Sequence, residues 1–217
     1  MDNLGMHTSA KARSEGYFLL SRLFHSPGAY PPLEIPRSAL AGSLPGLRTL
    51  IPSLLAPDTQ SIHDEYHGLF FRRIRPNEST FLHLDPQARE TLQKELAAEF
   101  ASHQVMVWAE DGPIDGVTRE LAFMAILTTK EGLAWSEHQN AAALGYREVQ
   151  RKFLRNHLGR WYGPLALELW AAAQTPFFRS TARFLQEFVA WDIREELHIR
   201  SGGDAQPAPD FSADLSA

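Results

Sequence analysis

Apolar residues recur every three or four positions along nearly the whole chain, as in the buried stripe of an α-helix. No run alternates apolar and polar residues between hairpin turns, so the pattern predicts an all-α fold. A first helix is expected over about residues 9–25, with Tyr17, Leu20 and Phe24, flanked by Phe18 and Leu23, as its buried stripe; it stops before Pro27-Gly28. Another is expected over 58–70, with Ile62, Tyr66, Leu69 and Phe70 on one face. The stretch FFRRIRPNESTFLHLDP has no clear period and reads as an ordered crossing loop. Pro86 suits the first turn of a helix running to His103, with Asp85 as N-cap. Longer periodic runs predict helices over 116–135, 137–158, 163–173 and 177–199.

The proline-rich segment 29–57 is expected to hold one or two short helices, and residues 201–217 have the Gly, Pro, Ser and Asp bias of a disordered tail. The reading is therefore a single-domain helical bundle over 1–200 followed by that tail. A length of 217 residues with 44% hydrophobic content supports one domain with a proper core. Net charge is −5, so no excess of Lys and Arg is available to displace phosphate counterions, and nucleic acid is not expected as a partner. The chain has no cysteine, which excludes disulfides, thiolate metal sites and cysteine nucleophiles. Residues 1–16 do not read as a secretory signal, and the apolar stretch from Leu165 to Ala173 is too short to span a bilayer. A cytoplasmic protein without stable membrane association is expected.

The candidate chemistry centres on EDGPIDGVTRELAFM, where a Gly/Pro turn releases a helix that carries an acid on an apolar face. At 100° per residue, Glu120 shares its side with Val117, Phe123, Met124 and Leu127, while Thr118, Lys130 and Glu131 are placed to face water. Asp115 precedes the helix start and reads as its N-cap, close enough to solvent to take a further hydrogen bond from a ligand. Glu120 needs a partner if buried, either an arginine of this chain or a cationic, apolar ligand. His157, with Phe153, Leu154, Leu158 and Trp161, reads as a hydrogen-bonded core histidine or a pH-responsive group. Trp108, an aromatic in a polar loop, is either a loop anchor or a contact point. Arg72-Arg73 reads as a solvated basic patch or as internal ion pairs. His63 and His67, spaced i, i+4, would reach one metal, but Asp64 replaces the zincin Glu and no third ligand lies nearby in sequence; no metal or other cofactor is expected. No phosphate loop, nucleophile elbow or catalytic triad order stands out.

Three blocks in order resemble the TorD/DmsD/NarJ-like chaperones that mature molybdenum oxidoreductases: EYHGLFF with PNESTF, PIDGVTRELAFM, and FLRNHLGRWYGPLA. Asp115 and Glu120 match that family's loop Asp and helix Glu, and His157 and Trp161 match its His and Trp. The pattern departs at Gly116, where the family commonly has His, and Pro113 stands one place early, so no ligand role passes to that loop position. The resemblance implies a non-catalytic, cytoplasmic, all-helical chaperone, monomeric or homodimeric, that grips an apo-molybdoenzyme catalytic subunit or its twin-arginine signal peptide. On that reading Tyr66, Phe70, Glu78, Trp108, Asp115, Glu120, Phe123, Met124, His157 and Trp161 form the client-binding set. The alternatives are a metal-dependent hydrolase built on His63 and His67, and a general helical adaptor.

Overall fold

The helical spacing becomes eight α-helices and one π-helical turn in the computed structural model, which describes residues 3–26, 59–105 and 112–201. No β-strand occurs among these residues; one isolated bridge joins Asn77 to Gly116. The expectations for the proline-rich segment, for Trp108 and for the tail beyond residue 201 lie outside the described residues.

Helix α1 (Asn3–Leu23) buries Tyr17, Leu19, Leu20 and Leu23. Phe18 leaves the expected stripe: it lies about 100° around the helix from Tyr17 and is 56% exposed. Helix α2 (Thr59–Tyr66) ends four residues before its expected stop and gives way to a π-helical turn, His67–Arg73, in which the Ile74 N–H donates to the Leu69 carbonyl at 2.7 Å. The expected crossing loop is thus partly helical, and it also contains the short α3 (Glu78–Phe81). Helix α4 (Pro86–Ser102) starts as its sequence demands, with the Asp85 carboxylate accepting from the Ala88 N–H at 2.8 Å and Pro86 where a donor would be spare.

Helices α5 (Val117–Ser136), α6 (Asn140–Asn156), α7 (Leu158–Ala172) and α8 (Pro176–Ser201) complete the bundle, with α1 packed along α5. The break between α6 and α7 falls at His157, and α7 starts at Leu158, five residues before the helix start expected at 163. Gly159 permits it: a Cβ there would stand 2.1 Å from the Leu154 carbonyl oxygen, so only hydrogen fits where α7 turns over the end of α6. Pro164 is consequently inside α7, where it removes one backbone donor. Burial of Leu165, Ala166 and Leu169 offsets that loss.

The core is aromatic. Phe100, on α4, and Phe153, on α6, flank Phe123 of α5 with ring centroids 4.6 and 4.8 Å away. Tyr17 meets the edge of Phe188 at 4.8 Å, and α1 approaches this ring at Gly16, where a Cβ would stand 2.2 Å from it.

A second, polar interior was not foreseen. Arg13 is buried and donates to Asp192 at 2.5 Å and Glu131 at 2.9 Å, and it also bonds Gln150. The Tyr17 hydroxyl donates to Asp192 at 2.6 Å, and the Trp135 indole and Gln150 amide donate to Glu131. One guanidinium thereby ties α1 to α5, α6 and α8. Glu131, expected to face water, is instead fully buried, because Arg13 supplies the countercharge that makes its burial tolerable. No described helix is long and apolar enough to cross a membrane.

Candidate functional site

The loop before α5 is held by backbone pairing before any side chain is considered. The Glu78 N–H donates to the Asp115 carbonyl at 2.8 Å, and the Val117 N–H to the Pro76 carbonyl at 2.9 Å. These bonds press the two loops together and turn Asp115 inward.

Asp115 does not cap its own helix, as its position before the Gly116 start suggested. Gly116 is the N-cap of α5, without a side-chain bond. The Asp115 carboxylate reaches across to α3, accepting from the Ser79 N–H at 3.2 Å and from the Gln93 side chain at 3.1 Å, with the Asn77 amide at 3.5 Å. It is fully buried, so the expected place near solvent is also corrected. The spacing to Gly116 marked a capping residue, but only tertiary contact shows which helix it caps.

Glu120 is likewise fully buried, and the side chain that meets it is an indole in place of the anticipated arginine. Its Oε2 accepts from the Trp161 indole N–H at 3.1 Å, and its other oxygen lacks a conventional donor. Desolvation, followed by the charge of Glu78, pushes its pKa well above the carboxylic range; the Trp161 bond opposes the shift, while Asp115 and a side-chain hydrogen bond with Glu78 reinforce it. Burial beside Glu78 therefore favours the neutral form of the Glu120 carboxyl.

Glu78, also fully buried, faces the His157 Nδ1 at 3.0 Å through its Oε2. A carboxylate acceptor fixes the proton on that nitrogen. Beyond the ring, His157 Nε2 lies 3.7 Å from Glu99, a surface-facing residue of α4. A polar chain thus runs Trp161, Glu120, Glu78, His157, Glu99, joining α7, α5, α3 and α4.

The structure therefore brings Glu78, Asp115, Glu120, His157 and Trp161 into one cluster. Phe123 and Met124 lie wholly within the core, and Trp161 packs against Phe81 with centroids 5.6 Å apart. Tyr66 and Phe70 form a separate, half-buried patch: the Tyr66 hydroxyl donates to the Phe24 carbonyl at 3.4 Å, and Phe70 meets Phe24 and Phe178. The acid-on-apolar face expected on α5 points into the protein. Its chemistry is that of a clamp.

Acid on an exposed apolar surface occurs instead between α1 and α5, in a groove of about 540 Å³ lined by Glu15, Phe18, Arg22, Arg119 and Ile126. Glu15 Oε2 is buried without a hydrogen-bond donor, and desolvation raises the pKa of Glu15 against the pull of Lys11. Arg22 lies 6.0 Å above the Phe18 ring. Sequence reasoning missed this groove; the signal was the i, i+3, i+7 spacing of Glu15, Phe18 and Arg22, off the buried stripe.

His63 and His67 bring their rings to 4.6 Å on an exposed flank of α2 and the π-turn. Among the described residues, no group of three or more His, Cys, Asp or Glu side chains is arranged to hold a metal ion.

Residues 36–166 match a protein-family model described as nitrate reductase delta subunit. No curated protein and no solved structure matches the chain. The matched region contains α2 through α6 and every member of the buried polar chain.

Proposed function

The chain belongs to the nitrate reductase delta-subunit family, a family of molybdoenzyme maturation chaperones, and on that premise we propose a system-specific cytoplasmic chaperone. It holds the apo catalytic subunit of one molybdenum oxidoreductase, or that subunit's twin-arginine signal peptide, until cofactor is inserted and export can follow. It makes and breaks no covalent bond. The observation that carries this reading is the family match over the residues that build the α3–α4–α5–α6 frame and its acid cluster.

A twin-arginine signal is a pair of cations followed by an apolar stretch. Its recognition needs carboxylate beside apolar area, with backbone or side-chain acceptors at the rim. Glu15 beside Phe18 and Ile126 places a carboxylate next to apolar area on the outside of the fold, with Arg22 and Arg119 in the same lining, so the apolar stretch of the leader is the part this groove suits best. Asp115, Glu120, Phe123, Met124, His157 and Trp161 serve the site as its frame, and the partly exposed Tyr66 and Phe70 are available for direct contact with the client.

Isothermal titration with the twin-arginine signal peptide of a candidate client, and co-purification of that client's catalytic subunit, test the reading. Binding of either is expected, weakened about tenfold by Glu15→Gln combined with Phe18→Ser at unchanged helicity. A well-folded sample that binds neither overturns the chaperone assignment. Binding indifferent to the double substitution removes the α1–α5 groove from it.

A further inference from the structure

The arginines after α2 occupy an unusual piece of backbone. In the π-helical turn His67–Arg73 one residue more than an α-helix allows is accommodated before Ile74, and such turns recur at functional sites because they forfeit ideal packing. Here Leu69 stays in the core and Phe70 packs inward on Phe24 and Phe178, while Phe71 is 72% exposed and held by stacking on His67 at 4.9 Å. Arg72 and Arg73 follow it outward, and Arg75 joins them past the turn. None of the three makes an ion pair or side-chain hydrogen bond within the described residues.

Across from them α7 presents Leu167, 61% exposed, with Glu168 beside it. Between the two lies a groove of about 660 Å³ with Phe71, Phe81 and Leu167 in its walls and the three arginines in its lining. Three guanidiniums face one carboxylate there, on a chain whose net charge is −5. A local cationic excess against the sign of the whole molecule, combined with two large exposed apolar side chains, is selective for a ligand of opposite polarity.

We propose that this groove is a docking surface for an acidic segment of a partner protein, anchored by an apolar side chain between Phe71 and Leu167, with its carboxylates on Arg72, Arg73 and Arg75. The arginine fork pairs bidentately with carboxylates, and aromatic and arginine side chains are the anchors that dominate protein interfaces. Glu168 in the same lining disfavours the dense charge of a phosphate group, while a peptide can space its acids around it. Three arginines against one glutamate disfavour the paired cations of a twin-arginine leader, so this surface takes an acidic part of the client. The inference rests on the chaperone reading only in identifying that partner as the client's mature domain.

Two measurements test it. Fluorescence anisotropy with a short labelled peptide alternating Leu or Phe with Glu and Asp is expected to show salt-sensitive binding, absent for the matched Gln/Asn peptide. The Arg72→Gln, Arg73→Gln, Arg75→Gln triple variant is expected to lose it by about tenfold or more, as is Leu167→Gln with Phe71→Ser. Co-purification of a client catalytic subunit lacking its leader is expected to fall in the same variants, while their titration with the leader peptide stays unchanged. No peptide binding, binding retained by the triple variant, or equal binding of the neutral peptide overturns the proposal. So does arginine-dependent capture of anionic phospholipid vesicles, inorganic phosphate or a second copy of the chain in place of the peptide. If the wild-type protein captures neither client nor leader, the chaperone reading fails by itself, and the peptide titration still decides this surface.

Discussion

Glu120 and Glu78 bury their carboxyl groups beside one another in an interior that excludes solvent from both. Two acids so placed cannot both ionise without a large cost, and the Trp161 and His157 donors on either side fix which oxygen accepts from which neighbour.

This pair makes stability depend on pH in a definite direction. Glu120 titrates well above its ordinary 4.5 in the folded chain, so the native state binds more protons than the unfolded one. Its contribution is complete below about pH 4.5 and declines as pH rises towards the folded value. Glu120→Gln, which stays neutral and still accepts from the Trp161 indole, is expected to flatten that decline in urea unfolding measured from pH 5 upward. Glu120→Ala strands the Trp161 N–H and is expected to cost about 1–3 kcal/mol. A Gln variant with the wild-type slope would show that Glu120 is ionised.

Asp115→Asn is expected to behave differently from Glu120→Gln, although both replace an acid by its amide. The Asp115 oxygens receive donors only, from Ser79, Gln93 and Asn77, so an amide NH₂ would confront at least one of them. A loss of about 0.5–2 kcal/mol is expected, the range for a removed helix cap. Faster amide exchange at Ser79 would locate it at the start of α3; unchanged exchange there would contradict the cap.

Arg13→Leu leaves Glu131 and Asp192 buried without their shared cation and is expected to cost about 3–5 kcal/mol in chemical denaturation. Adding Glu131→Gln and Asp192→Asn is expected to restore part of it, because neutral amides tolerate burial better than carboxylates left with less countercharge, Glu131 keeping only Arg147 at 3.6 Å. If the triple variant is no more stable than the single one, loss of packing rather than stranded charge is the cause.

Two glycines give a paired test of the α6–α7 corner. Gly159→Ala drives a methyl into the Leu154 carbonyl, and a backbone oxygen yields poorly, so a loss of about 1–3 kcal/mol or more is expected. Gly145→Ala, in mid-α6 with nothing within 4 Å of its new Cβ, is expected to gain about 0.5–1 kcal/mol from helix propensity. Thermal unfolding of the two variants in parallel reads both signs; similar effects would remove the steric account of Gly159.

The periodicity by itself determined the all-α class, the extent of α4 with its Asp85 cap, and the course of α5 and α8 to within a few residues. Those features depend on contacts within a turn or two of helix, and such contacts are written in adjacent residues. The same local logic found the residues of the acid cluster and mistook their direction. Glu120 was legible as a carboxylate among apolar neighbours, but whether that side faces a client or the bundle depends on what packs against it. Only the tertiary structure decided that α3 and α7 close over it, that Asp115 caps a helix distant in sequence, and that Arg13 reaches Glu131 and Asp192 across the bundle. Burying a charge is governed by the countercharge or proton that meets it in space, and those partners come from helices that sequence spacing does not relate.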